Sequence, residues 1–400
     1  MKKVLIFFCI IFIAVGVSGE SFDNYKKEYS KKKFYDKENQ EFEEYRKRLN
    51  KEFQIYKNTL MDKFKKYKDE ITEYWQTAET STRKKWVEYS DDKKIKRVVN
   101  FETGEIRIEV IVSTQPNRST IKDILSQNLE YMLNEDKRTA FKNDQVSYNT
   151  EKKLKSKLVT AKSAEIEDDK ILTPIYFNDK PNKNKIKKKT RRLVDKGEIG
   201  VEKSPVSKAK IIRFKAQLPE NSLRKKAKIF EPVVTKYSDK YRLRSDLIFS
   251  IIHNESSFNP MAQSYVPAYG LMQIVPKSAG IDATRFLFGK PKLLMPSYLY
   301  NAKNNVEIGI VYFRILYYNY LKEIKNPTSR LYCAIASYNT GAGNMAKAFT
   351  RNSNISNAAI IINRMDSEDV YRTLRRNLPY EETKKYIKRV VEKIPYYNSF

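Results

Sequence analysis

The sequence predicts an α+β protein: a mixed α/β amino-terminal domain with a long helix and a β-hairpin, followed by an all-α domain. Three observations predict it. An eleven-residue apolar repeat runs from Phe42 to Tyr74, an alternating pattern turns about a glycine between Lys96 and Val110, and the apolar residues after Pro219 recur at helical spacing. A chain of 400 residues has room for two or three domains, each with a core of its own.

The first element is an export signal. Met1-Lys2-Lys3 precedes an apolar run from Val4 to Val17, and Val17-Ser18-Gly19 supplies small residues for cleavage before Glu20. At 14 residues the run falls short of the roughly 20 that span a bilayer. The expectation is an exported, periplasmic protein associated with the wall or the outer membrane. Residues 1–19 are the signal peptide, 20–218 the amino-terminal domain and 219–400 the second domain.

The long helix follows. Phe42, Tyr45, Leu49, Phe53, Tyr56, Leu60, Phe64, Tyr67, Ile71 and Tyr74 are spaced three, four and four apart, about 3.67 residues per turn, which keeps one stripe straight along a helix. Such a stripe packs against a neighbouring domain or a partner helix. Next, Lys96 to Glu102 and Glu105 to Val110 alternate about Thr103-Gly104 as a hairpin, Trp86 to Tyr89 precedes it, and Ile211 to Ala216 is a short strand that can return to the same sheet. Lys180 to Arg192 holds eight basic residues in thirteen and no acid, and it reads as a solvated basic linker. Beyond Pro219, six of the eleven glycines lie between Gly270 and Gly343, which concentrates turns around one groove.

The charge balance narrows the partners. Seventy-eight basic residues against 48 acidic give a net charge of +30, so a polyanion is expected. No zinc-ligand spacing, helix-turn-helix or RNA-binding aromatic signature accompanies the charge, so nucleic acid is not the expected partner. An anionic wall or lipid surface is. One histidine, His253, and two cysteines, Cys9 and Cys333, leave no basis for a metal centre, and no cofactor is predicted. Cys333 sits among small apolar residues as a buried hydrophobe.

The chemistry centres on Glu255. It follows Ile251 by four, Ile252 by three and Ile248 by seven, so it continues the buried face of a helix that Pro260 is expected to end. Burial and the negative end of the helix dipole both favour the protonated carboxyl, as a general acid at neutral pH requires. The same spacing also fits a helix-terminal glutamate paired with a lysine. His253, two residues earlier, points elsewhere on the helix as a packing or solvent-facing residue.

Four motifs go further. Glu255-Ser256-Ser257-Phe258-Asn259-Pro260, Ser264, Gly270-Leu271-Met272-Gln273 and Ser337-Tyr338-Asn339-Thr340-Gly341-Ala342-Gly343, in that order, resemble the catalytic domain of the soluble-type lytic transglycosylases. Asn326 to Arg330, Asp369-Val370-Tyr371 and Lys385-Tyr386-Ile387 look most like the membrane-bound lytic murein transglycosylase C family. The similarity is continuous from about Pro219 to about Arg389. Trp86 to Tyr89, the hairpin and the helix before it also resemble that family's amino-terminal domain. The resemblance implies a lysozyme-like fold for residues 219–400 and peptidoglycan glycan strands as substrate. Glu255 then protonates the β-1,4 oxygen between N-acetylmuramic acid and N-acetylglucosamine and accepts the C6 hydroxyl proton, leaving a 1,6-anhydromuramoyl end. It implies further that Ser264 and Gln273 hold the substrate, with Gly270 and Met272 in the same set, that Tyr338 and Asn339 lie beside the acid, and that Tyr386 orients it. Relatives carry a lipid anchor on a cysteine at the signal cleavage site. Here Cys9 lies in the middle of the apolar run, so a lipoprotein anchor is not expected.

Two alternatives remain at this level: a lysozyme-like hydrolase using the same acid with water, and a non-catalytic peptidoglycan-binding or assembly protein. The amino-terminal half carries charge and a long helix but no matched catalytic motif. It is expected to localise the enzyme and to be dispensable for bond cleavage.

Overall fold

The computed structural model describes residues 22–398 apart from 115, 155, 156 and 266, with side chains from residue 43 onward except residue 46. The signal peptide expected over 1–19 and the side chain of Phe42 lie outside the described residues.

The apolar stripe forms one face of a helix, Phe22–Thr72. Leu49, Phe53, Tyr56 and Leu60 are buried in the main core with Phe64 and Tyr67 partly buried against it, and Ile71 is buried in a second cluster. The stripe's partner is this chain itself. The hydroxyls of Tyr56 and Tyr269 meet at 2.5 Å, the Tyr45 hydroxyl donates to the Pro291 carbonyl, and Glu52 accepts the backbone N–H groups of Val159 and Thr160 at 3.0 and 2.9 Å.

Five antiparallel strands form the sheet, in the order Lys85–Tyr89, Ile95–Asn100, Glu105–Val112, Lys210–Gln217, Glu198–Lys203. The hairpin register pairs Val99 with Ile106, and Gly104 takes φ +77° at its turn, a conformation glycine adopts without steric cost. Lys210–Gln217 returns to the sheet beside Glu105–Val112 with Ile108 opposite Phe214. Val99, Ile106, Ile108, Ile212 and Phe214 turn to the main core. The opposite face, through Tyr89 and Ile211, takes Ile71 and Trp75 from the end of the long helix. This period-two division is what alternating sequence dictates.

The basic stretch is not a linker. Lys183–Lys196 is a helix whose Asn182 side chain accepts the Lys185 N–H at its start, and Ile186, Thr190 and Val194 are buried as it packs against the helix Arg118–Asn134. Residues at i, i+4 and i+8 share one helical face, and the lysines and arginines occupy the others.

From Ser222 onward, the helices and strands among the described residues are all helices apart from the two-residue strand Leu293–Leu294, so the α+β architecture holds. The core does not divide between the halves. One continuous buried cluster runs from Leu49 to Tyr397. Leu293–Leu294 pairs with Ala161–Lys162 from the amino-terminal half, and Glu151 accepts both the backbone N–H of Ser297, at 2.9 Å, and its hydroxyl. Among the described residues, no helix is long and apolar enough to cross a membrane.

Candidate active site

The helix Ser245–Ser256 is buried almost throughout, including Leu247, Ile248, Phe249, Ile251 and Ile252. Asp246 in its first turn suits the positive end of the helix dipole. The helix stops four residues before Pro260. Ser257 and Phe258 take φ of 51° and 64°, and the Ser257 N–H returns to the His253 carbonyl at 3.0 Å. Two consecutive non-glycine residues in the left-handed region cost on the order of 1–3 kcal/mol each. The turn they make carries Asn259, whose side chain accepts the Met261 N–H at 3.0 Å and donates to the Arg83 carbonyl at 3.3 Å.

Glu255 is 4% exposed. Burial pushes its carboxyl up to about 7, against the pull of Tyr386 and Arg83 and with the help of Glu382; Lys84 pulls weakly downward. Arg83 Nη1 lies 3.6 Å from Glu255 Oε2, while its Nη2 donates to Glu382 Oε1 at 2.7 Å. Tyr386 is fully buried. Its hydroxyl acts on Glu255 as a donor would yet lacks a complete hydrogen bond among the described residues, so the contact is electrostatic approach rather than a formed bond. Burial, then the Glu255 charge, raises the phenols of Tyr386 and Tyr338 well above their ordinary value. Both stay neutral donors.

The Gly270 to Gln273 loop is built from within. Gly270 has φ +73°, and a Cβ there would lie 2.3 Å from both the Leu299 carbonyl oxygen and Asn305 Nδ2. Asn305 is fully buried; it accepts the Met272 N–H and donates to the carbonyls of Tyr269 and Leu299, each at 2.8 Å. Met272 is fully buried, close enough to Gly309 that a Cβ there would meet its sulfur at 2.4 Å, and its carbonyl accepts the Tyr338 hydroxyl at 2.8 Å. Gly270 and Met272 therefore shape the loop, and the Met272 side chain presents nothing to a ligand. Gln273, at φ 49°, donates Nε2 to the Gly270 carbonyl at 3.0 Å. Its Oε1 is buried and without a hydrogen-bond partner among the described residues. Asn339 Oδ1 accepts the Thr383 hydroxyl at 2.7 Å.

Beside this machinery lies a cleft of about 850 Å³ lined by Leu60, Phe64, Arg83, Ser264, Glu382 and Arg389, among others. Glu255 is outside its lining, but its neighbour Asn254 and the three charged groups bearing on it, Arg83, Glu382 and Lys84, are within. One wall is thus the long helix and the segment after it. The structure brings Glu255, Tyr338, Tyr386 and the Gly270 to Gln273 loop together and places Ser264 in the cleft wall. Sequence reasoning missed Arg83 and Glu382. Glu382 left a signal, four residues before Tyr386 on one helix face; Arg83, in an irregular segment, left none.

His253 Nδ1 and the Tyr397 hydroxyl lie 2.9 Å apart, and burial, then nearby lysines, push the imidazole down to about 3. It is a neutral packing residue. Cys333 is fully buried, and burial raises its thiol. No group of three or more His, Cys, Asp and Glu side chains among the described residues is placed to hold a metal ion.

Residues 232–361 match the family described as the transglycosylase SLT domain. A membrane-bound lytic murein transglycosylase C from Serratia proteamaculans is 34% identical over 313 residues, covering 77% of this chain and 80% of its own length. Its counterpart from Photorhabdus laumondii is 32% identical over 310 residues, with 77% and 80% covered. Among solved structures, the 70 kDa soluble lytic transglycosylase from Escherichia coli aligns with a TM-score of 0.35 and 17% identity, over 70% of this chain and 43% of that one. That overlap is too loose to carry structural detail.

Proposed function

The chain belongs to the lytic transglycosylase family, and from that premise we propose that it cleaves peptidoglycan glycan strands with Glu255 as both general acid and general base. In the first step the protonated carboxyl gives its proton to the β-1,4 oxygen between N-acetylmuramic acid and N-acetylglucosamine as the C1–O bond breaks. In the second, the C6 hydroxyl oxygen of the same muramic acid closes onto C1 and its proton passes to the Glu255 carboxylate. Atoms balance without water, and the product carries a 1,6-anhydro ring. The observation that carries this reading is a buried carboxyl held at about 7, since one group that must give and then take a proton works best near the operating pH. The neighbouring carboxylate, Glu382, is exposed and bonded to Arg83, which favours a scheme without the second acid that ordinary glycosidases use.

The remaining residues take supporting roles. Ser264 and Gln273 hold the acetamide or peptide-bearing sugar, with the unpartnered Gln273 Oε1 accepting an N–H once the side chain turns towards the substrate. Tyr338 and Asn339 line the approach to the acid, and Tyr386 orients it. Residues 219–400 carry these groups, and 20–218 form the amino-terminal domain. The enzyme works in the periplasm, and its net charge of +30 draws it to anionic wall or lipid. Glu255→Gln tests the assignment: release of muropeptides from purified sacculi should fall by roughly 10² to 10⁴, the worth of general acid-base catalysis, with circular dichroism unchanged. Activity within about tenfold of the parent would place the acid elsewhere.

A further inference from the structure

Among the described residues, Arg83 is the charged group from outside the helical half of the chain that comes within ion-pair distance of the Glu255 carboxyl. We propose that Arg83, on the segment between the long helix and the sheet, is a positioning residue for Glu255, and that Glu382 holds it off the carboxyl, so that the line Glu382–Arg83–Glu255 sets how readily the acid gives and retakes its proton. This rests on the reading of Glu255 as acid and base.

The geometry is intermediate by construction. Arg83 donates to Glu382 at 2.7 Å and stands 3.6 Å from Glu255, within ion-pair reach and beyond hydrogen-bond length. A guanidinium bonded directly to the carboxyl would keep it ionised and useless as an acid near neutrality. Without the guanidinium, burial would hold the proton too tightly for the carboxylate to act as base. Arg83 is fixed by its backbone, since its carbonyl accepts from Asn259 and the Thr82 carbonyl accepts the Gln263 N–H at 3.4 Å. Asn259 belongs to the strained turn that ends the Glu255 helix, so acid and guanidinium are placed by one motif.

The other groups around the carboxyl differ in kind. Lys84, beside Arg83, pairs with Glu102. Arg389 donates to Asn254 Oδ1 at 2.8 Å, and Lys385, on the same helix as Glu382 and Tyr386, lines the cleft. Tyr338 and Tyr386 are neutral phenols. Only Arg83 makes an ion pair with Glu255 among the described residues, and Glu382 is the carboxylate acting on both.

The pH dependence of kcat/KM for cleavage of soluble glycan strands by the full-length enzyme tests the proposal, because its alkaline limb reports loss of the protonated acid. Arg83→Gln should move that limb to higher pH by about one unit, the lower end of what a charge at this distance does, since Arg83 is partly exposed. Arg83→Lys should return it towards the parent value. Glu382→Gln removes a negative charge and frees Arg83 to close on Glu255, so the limb should move to lower pH. Opposite signs from two neighbouring substitutions are not produced by a merely structural contact, which lowers the rate without moving the limb. Should Arg83→Gln fail to fold, the exposed Glu382→Gln decides by its sign alone. An active enzyme whose limb stays fixed overturns the proposal while leaving Glu255 as the acid; a parent enzyme that cleaves nothing overturns both.

Discussion

Glu255→Gln should make the protein more stable at pH 8 and leave its stability unchanged at pH 4. The folded carboxyl sits at about 7, against 4.5 for an unperturbed one, because burial penalises its charge. Below 4.5 the group is neutral in both folded and unfolded chains and costs nothing. Between 4.5 and about 7 the unfolded chain has released the proton and the folded one has not, so stability falls as pH rises, and the loss is complete above about 7. At about 1.36 kcal/mol per pH unit the gap is worth about 3 kcal/mol. Glutamine keeps the shape without the charge and escapes this cost. Urea unfolding of parent and variant at pH 4, 6 and 8 should show the variant's advantage growing from zero to about 3 kcal/mol with an unchanged denaturant slope. An advantage that is the same at every pH would refute the reasoning, because it would arise from packing rather than from a buried charge.

Two further outcomes follow from the packing. Residues 219–400 expressed alone should be misfolded and inactive on soluble glycan, since the cut exposes the shared core and removes the Ala161–Lys162 strand, the Glu151 bonds to Ser297 and Arg83; a folded, active fragment seen by circular dichroism and glycan cleavage would contradict this. Gly270→Ala should cost about 3 kcal/mol or more through its positive φ and the contact with the Leu299 carbonyl, measured as a lowered urea midpoint, whereas Gly200→Ala, which meets nothing within 4 Å, should change stability by less than about 0.5 kcal/mol. Equal effects of the two would refute the structural role of Gly270.

Much of the fold was legible because hydrophobic period is a local property. The stripe from Leu49 to Ile71, the hairpin about Gly104 and the burial of Glu255 behind Ile248, Ile251 and Ile252 each follow from spacing within a few turns. The helix Lys183–Lys196 was not legible in the same way: its buried face is only Ile186, Thr190 and Val194, one of them polar, among basic residues that mimic a solvated linker. Its helicity is secured by packing on Arg118–Asn134, a non-local contact. The end of the Glu255 helix is hidden for a different reason. Pro260 is a visible stop, but Ser257 and Phe258 adopt left-handed backbone that neither residue favours intrinsically. No motif marks the amino-terminal half, so the sequence alone points to it as dispensable. Arg83 reaches Glu255 through tertiary packing, where 172 residues of separation along the chain hide the contact.

The central claim is that Glu255 closes the muramic acid ring on itself instead of admitting water to C1. Digesting sacculi with the full-length protein in heavy-oxygen water and weighing the released muropeptides tests it most directly. Products lighter than reducing-end muropeptides by one water and free of the heavy label are predicted. Reducing-end products carrying the label would show a hydrolase and contradict the account.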